Sequence, residues 1–174
     1  MYTTLVLTVI GPDRPGIVDA LSAVIVAHGG GWHRSRMAQL AGQFAGILEV
    51  QVPPASQADL CAALGDLRER DLTVSVTRTT PPATGAHPRA LMIDLVGHDR
   101  PGIIQAVAHA LANRGVNVAD LRSNTVRAPM SGTPMFEAHA LVHLPPVVAI
   151  DELRVALEAL ATDMMVDLSF EAPA

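Results

Sequence analysis

The eight residues at positions 11–18, GPDRPGIV, return at positions 97–104 as GHDRPGII, with six of the eight identical. A chain that writes one stretch twice, each time after an apolar run, is constrained to build one local structure twice. The flanks repeat as well. TLVLTVI (4–10) and ALMIDLV (90–96) both alternate, Leu5, Leu7 and Val9 against Leu91, Ile93 and Leu95, which marks a strand with one buried face. After the shared loop, Ile17, Leu21, Val24 and Ile25 recur at helical spacing, as do Ile103, Val107, Ala110 and Leu111. Pro15 and Pro101 are placed in the first helical turn, where a missing N–H costs nothing. Gly29-Gly30-Gly31 and Gly115 close the two helices.

Beyond the helices the second copy carries six extra residues and then falls back into register. Phe44, Gly46, Leu48, Val50 and Val52 match Phe136, Ala138, Ala140, Val142 and Leu144, and both runs stop at a proline, Pro53 or Pro145. A second helix follows in each copy (Leu60, Leu64, Leu67; Ile150, Leu153, Leu157, Leu160), then a last strand (Leu72, Val74, Val76; Met164, Val166, Leu168). Each half therefore reads strand–helix–strand–strand–helix–strand. This is an α+β, ferredoxin-like pattern, and right-handed crossovers lay both helices on one face of a four-stranded antiparallel sheet. The expected domains are 1–79 and 89–174, joined by the proline-rich linker TPPATGAHP at 80–88.

Composition narrows the function. The net charge is −5 and aromatic residues are 3% of the chain, so neither the basic field nor the stacking aromatics of a nucleic-acid surface are present. The cluster His33-Arg34-Ser35-Arg36 reads as a solvated face. One cysteine, Cys61, excludes an internal disulfide and points to a reducing, cytoplasmic setting. The apolar start ends at Gly11-Pro12, too short for a leader core or a membrane span.

The loop has a specific capability. The first N–H groups of a helix lack intrahelical partners and carry partial positive charge, which suits a small carboxylate. Gly16 or Gly102 lets the backbone approach a ligand. Asp13 or Asp99, placed one or two residues before the helix, accepts from an ammonium group, and the two receptors together make an amino-acid site. A plain helix cap asks for the same residue types. A nucleotide loop is excluded: G-x-G-x-x-G is missing and the chain has no lysine.

Strand, G-x-D-R-P-G-I, helix and "GVNV" (115–118) together resemble the ACT domain, here in two copies covering essentially the whole chain. The stretches VRAPMSGTPMFEA (126–138) and SRMAQLAGQFAGIL (35–48) are similar to the glycine cleavage system transcriptional repressor family. The resemblance implies a regulatory module that binds a small amino acid, with glycine or serine favoured, between paired domains. It implies a non-enzymatic protein acting through a partner such as a transcriptional regulator, with a homodimer expected and no cofactor, nucleic acid or membrane involved. The ligand-binding residues it implies are Asp99, Arg100, Gly102, Ile103, Asn117 and His98 in the second copy, with Asp13 and Gly16 in the first. Gly31, where the second copy has Asn117, puts the competent half-site in the second copy. The alternatives are a ligand-free interaction module or a detached regulatory subunit of an amino-acid or folate enzyme.

The remaining constellations are weak. His139 and His143 share a strand face about 13 Å apart, too far to share an ion, and no Cys/His spacing marks a metal site. Asp94 has no evident acid–base partner, and no nucleophile elbow is present. Arg14 and Arg100 read mainly as links to the sheet edge or a partner domain. Trp32 is either a ligand wall or a packing residue between domains, and the insertion Met130–Met135 gates a ligand, contacts a partner or is a plain hairpin tip.

Overall fold

A computed structural model describes residues 2–79, 89–128 and 132–171. The chain forms two compact units, Met1–Thr84 and Gly85–Ala174. The linker expected at 80–88 lies outside the described residues.

In the first unit the order is β1 (Thr3–Pro12), α1 (Ile17–Ala27), β2 (Gly31–Leu40), β3 (Gln43–Val52), α2 (Gln57–Asp66) and β4 (Thr73–Arg78), with short 3-10 turns flanking α2. In the second it is β5 (Arg89–His98), α3 (Ile103–Ala112), β6 (Asn117–Arg127), β7 (Pro134–Leu144), α4 (Ile150–Met164) and β8 (Val166–Glu171). The sheet orders are β2-β3-β1-β4 and β6-β7-β5-β8, one α+β topology built twice.

Alternation in the central strands decides which face is buried. Leu5, Leu7 and Val9 of β1 pair with Val50, Leu48 and Gly46 of β3, and this side meets Ile17, Leu21 and Ile25 of α1 and Leu60 and Leu64 of α2. The second core repeats the plan with Leu91, Ile93 and Leu95 against Ile103, Val107, Leu111, Leu153 and Leu157. Fully burying a Leu or Ile side chain contributes about 1.5–3 kcal/mol, so each helix is held mainly by this stripe. Trp32, partly buried, packs against the core of its own domain. Both edge strands carry a bulge at the same place, between Trp32 and Arg34 and between Val118 and Asp120.

Three local expectations change. Met164 is the last residue of α4, and the chain turns at Met165 (φ 52°) before β8 begins. Gly31 opens β2 instead of closing α1. Pro15 and Pro101 stand one residue before the helix caps, because Gly16 and Gly102, in left-handed conformations (φ 91° and 97°), reverse the chain there.

Candidate functional site

The repeated octapeptide forms the corner between the first strand and first helix of each unit, and most of its identity has a packing cause. Gly97 lies opposite Val166 in the β5–β8 register, and a Cβ on it would come within 2.5 Å of Val166 Cγ1 and 2.9 Å of its Cα. Gly11 meets the Asp71 carbonyl in the same way. Arg14 donates to the Arg70 carbonyl at 2.8 Å, and Arg100 to Met165 Sδ at 3.6 Å. Glycine and arginine thus address one feature, the turn that brings the chain from the second helix into the last strand. Ile17 and Ile103 are core residues, 3% and 2% exposed.

The aspartates differ. The amides of Asp13 and Asp99 donate to the carbonyls of Gly42 (2.9 Å) and Pro134 (3.1 Å), which ties each loop to the neighbouring hairpin. Their side chains are exposed, and among the described residues neither carboxylate is in a hydrogen bond or ion pair. They lie four residues, not one or two, before the first helical residue, with Arg14-Pro15-Gly16 or Arg100-Pro101-Gly102 between.

Neither helix start has a side-chain cap; Gly16 and Gly102 accept only the i+4 amides of Ala20 and Ala106 at 2.9 Å. Three first-turn N–H groups in each helix thus stay without an intrahelical acceptor. Space over both glycines is open: a Cβ there meets no atom within 4 Å. Beside the first corner, between α1 and α2, lies a depression of about 480 Å³ lined by Arg14, Gly16, Asp19, Asp66, Glu69 and Arg70. Paired charges at an open helix start suit a zwitterion.

Asn117 does not join this corner. It opens β6 and pairs with His143, which pairs with Ala90 at the start of β5, whereas Asp99 follows the far end of β5. Eight residues of strand, roughly 27 Å, separate the two ends. The physical reason is the crossover: β6 runs parallel to β5, so its first residue lies level with the start of β5, across β7. Gly31 likewise opens β2, at the far end of its own sheet from the first corner. The side chain of Ile103 lies in the core, so its amide is the group that faces the loop corner. His98 ends β5, exposed, beside the loop. Met130 and Ser131 of the insertion lie outside the described residues.

Asp94 does have a partner: its carboxylate accepts from His139 Nδ1 directly across β5–β7, on the sheet side away from the helices. Ser169 faces Asp94 from β8, on the opposite side to His139. The order is therefore histidine, carboxylate, hydroxyl, which does not meet a nucleophile–base–acid relay. Among the described residues no group of three or more His, Cys, Asp or Glu could hold a metal ion, and no helix is long and apolar enough to cross a membrane.

Two family models, each described as the ACT domain, match residues 3–77 and 92–158. The chain is a tandem of two ACT domains. Over 162 residues, 92% of this chain and 85% of the relative, it is 25% identical to the glycine cleavage system transcriptional repressor of Escherichia coli. A crystal structure of a protein of unknown function from Galdieria sulphuraria superimposes with a TM-score of 0.84 and 28% identity, covering 100% of both chains. The formyltetrahydrofolate deformylase of Mycobacterium tuberculosis is 47% identical over 58 residues, but these are 33% of this chain and only 18% of the enzyme. The likeness to an enzyme is thus confined to an ACT region, while the likeness to a regulator runs through both ACT domains.

Proposed function

We propose that this tandem ACT protein is a non-enzymatic sensor of a small amino acid, glycine or serine, that acts in the cytoplasm through a partner protein such as a transcriptional regulator. The observation that carries the reading is the pair of unused carboxylates. Among the residues identical in both loops, Gly11 and Gly97, the arginines and the isoleucines serve packing, Gly16 and Gly102 supply the left-handed turn and the prolines stiffen it, while the side chains of Asp13 and Asp99 serve none of these. In this reading the carboxylate of Asp99 accepts from the ligand ammonium, and the amides of Ile103 and Ile104 with the helix dipole hold its carboxylate. Asp13 and Gly16 do the same in the first domain. Hydrogen bonds to charged groups contribute about 1.5–3 kcal/mol each, enough for binding in the micromolar range once the cost of ordering the ligand is met.

Signalling then needs only that the ligand prefer one state of the protein over another. The test is a calorimetric titration of glycine and of serine into the full chain, repeated on Asp13→Asn/Asp99→Asn. Saturable heat in the wild type that disappears in the variant supports the sensor. Equal heats in both, or none in either, reject the corner as the site.

A ligand-free interaction module is the second reading, favoured by the separation of Asn117 from Asp99, which leaves a single domain without a closed pocket. Partner binding whose affinity no amino acid changes would select it.

A further inference from the structure

Both sheets carry their helices on one side, so each leaves a face that no element of its own domain covers. The two helix-free faces occupy matching register positions, yet they differ in charge: five positions gain a carboxylate in the second domain, while one, Glu49 against Leu141, loses it. Where the first domain has Thr8, Arg34, Ala45, Thr73 and Thr77, the second has Asp94, Asp120, Glu137, Asp167 and Glu171. The helix-facing positions show no such drift, with Leu5, Leu7 and Val9 matched by Leu91, Ile93 and Leu95. The first face thus holds two guanidiniums, Arg34 and Arg36, against one carboxylate, Glu49; the second holds five carboxylates against one guanidinium, Arg122. Each face also has a groove at the same place, about 470 Å³ around Arg34, Arg36 and Ile47 and about 400 Å³ around Asp120, Arg122 and His139. Aliphatic side chains stand open between the charges, Ile10 and Ile47 at 50% exposure on the first face and Val96 at 38% on the second.

We propose that the helix-free face of the first ACT domain docks onto the helix-free face of the second ACT domain of another copy of this chain. Opposite fields steer such faces together and disfavour like-on-like pairing. Area favours two copies. A four-stranded face of this kind measures roughly 20 by 25 Å, so one contact removes about 1,000 Å² of surface in total, at the low end for a stable association. A two-fold pair makes the contact twice and removes about 2,000 Å², in the range of stable dimers. This contact is separate from the loop corner, and a failure of either proposal leaves the other standing.

Analytical ultracentrifugation of the full chain tests it with two variants. Arg34→Glu/Arg36→Glu makes both faces acidic, and Asp120→Arg/Asp167→Arg/Glu171→Arg makes both basic; all five residues lie on sheet surfaces, and circular dichroism checks that each variant keeps its fold. The wild type is expected to dimerise, with an association weakened at least roughly tenfold between about 0.05 M and 0.5 M salt. Each variant alone is expected to be monomeric, and an equimolar mixture to form a heterodimer. A wild type that is monomeric at roughly 100 μM in low salt, a dimer indifferent to Arg34→Glu/Arg36→Glu, or folded variants that fail to pair on mixing would each overturn the proposal. Should a variant fail to fold, the concentration and salt dependence of the wild type decides alone.

Discussion

Asp99 donates its amide to the Pro134 carbonyl over 3.1 Å and leaves its carboxylate in solvent. One residue thus separates two jobs, tying the loop to the hairpin through its backbone and offering a ligand its side chain. Asp99→Asn keeps the first and removes the charge of the second. Its unfolding free energy should stay within about 0.5 kcal/mol of the wild type, as for an ordinary surface substitution, while the response to amino acid at this corner is lost. Urea denaturation and ligand titration of the same sample check both halves.

Gly97 and Gly102, five positions apart, are needed for different reasons, and alanine distinguishes them. At Gly97 the new methyl drives into Val166, and overpacking of this kind costs about 1–3 kcal/mol. At Gly102 the methyl enters open space and the cost is backbone strain alone at φ 97°, about 1 kcal/mol. Thermal unfolding should rank Gly97→Ala as the more destabilised, and a crystal structure of it should show β8 displaced at Val166. An equal loss in the two variants, with β8 unmoved, would contradict the assignment.

The two loop arginines are chemically unequal anchors. Arg14 reaches a carbonyl at 2.8 Å, whereas Arg100 reaches a thioether sulfur, a weak acceptor. Both sites are exposed, so the expected cost of Arg14→Ala is about 0.5–1.5 kcal/mol, and that of Arg100→Ala is smaller. Paired urea titrations read the difference directly.

Asn117→Ala separates the corner from the far end of the sheet. Because β6 begins level with the start of β5, across β7, the substitution should change amino-acid affinity less than about twofold, well under the 1.4 kcal/mol of a tenfold effect. A loss matching that of Asp99→Asn would move the ligand to the other end of the sheet.

The fold was legible because each of its signals is local. The alternation of Leu91, Ile93 and Leu95 and the helical spacing of Ile103, Val107 and Leu111 report burial that the structure reproduces residue by residue. Met164 is the instructive exception, since an apolar residue at the end of a helix and one at the start of a strand look alike in sequence. The site was legible only in part. The demand on Gly97 comes from Val166, far along the chain, and no local pattern announces it. Asn117 enters through the family resemblance, as the polar residue that opens the second strand, and its place follows only when the direction of the crossover is traced through the sheet. Asp94 gained His139 as a neighbour from the β5–β7 register, which periodicity leaves undetermined.

In the proposed sensor, a free small amino acid is held at the loop corners by Asp13 and Asp99. The most direct test is a thermal-shift panel of the full chain against all twenty amino acids at about 1 mM, run beside Asp13→Asn/Asp99→Asn. A ligand with a dissociation constant near 10 μM adds roughly 2.7 kcal/mol, a rise of about 5–10 °C for a chain of this size. The expected result is one clear rise, for glycine or serine, that the double variant abolishes. A flat panel, or a rise that survives in the double variant, would contradict the claim.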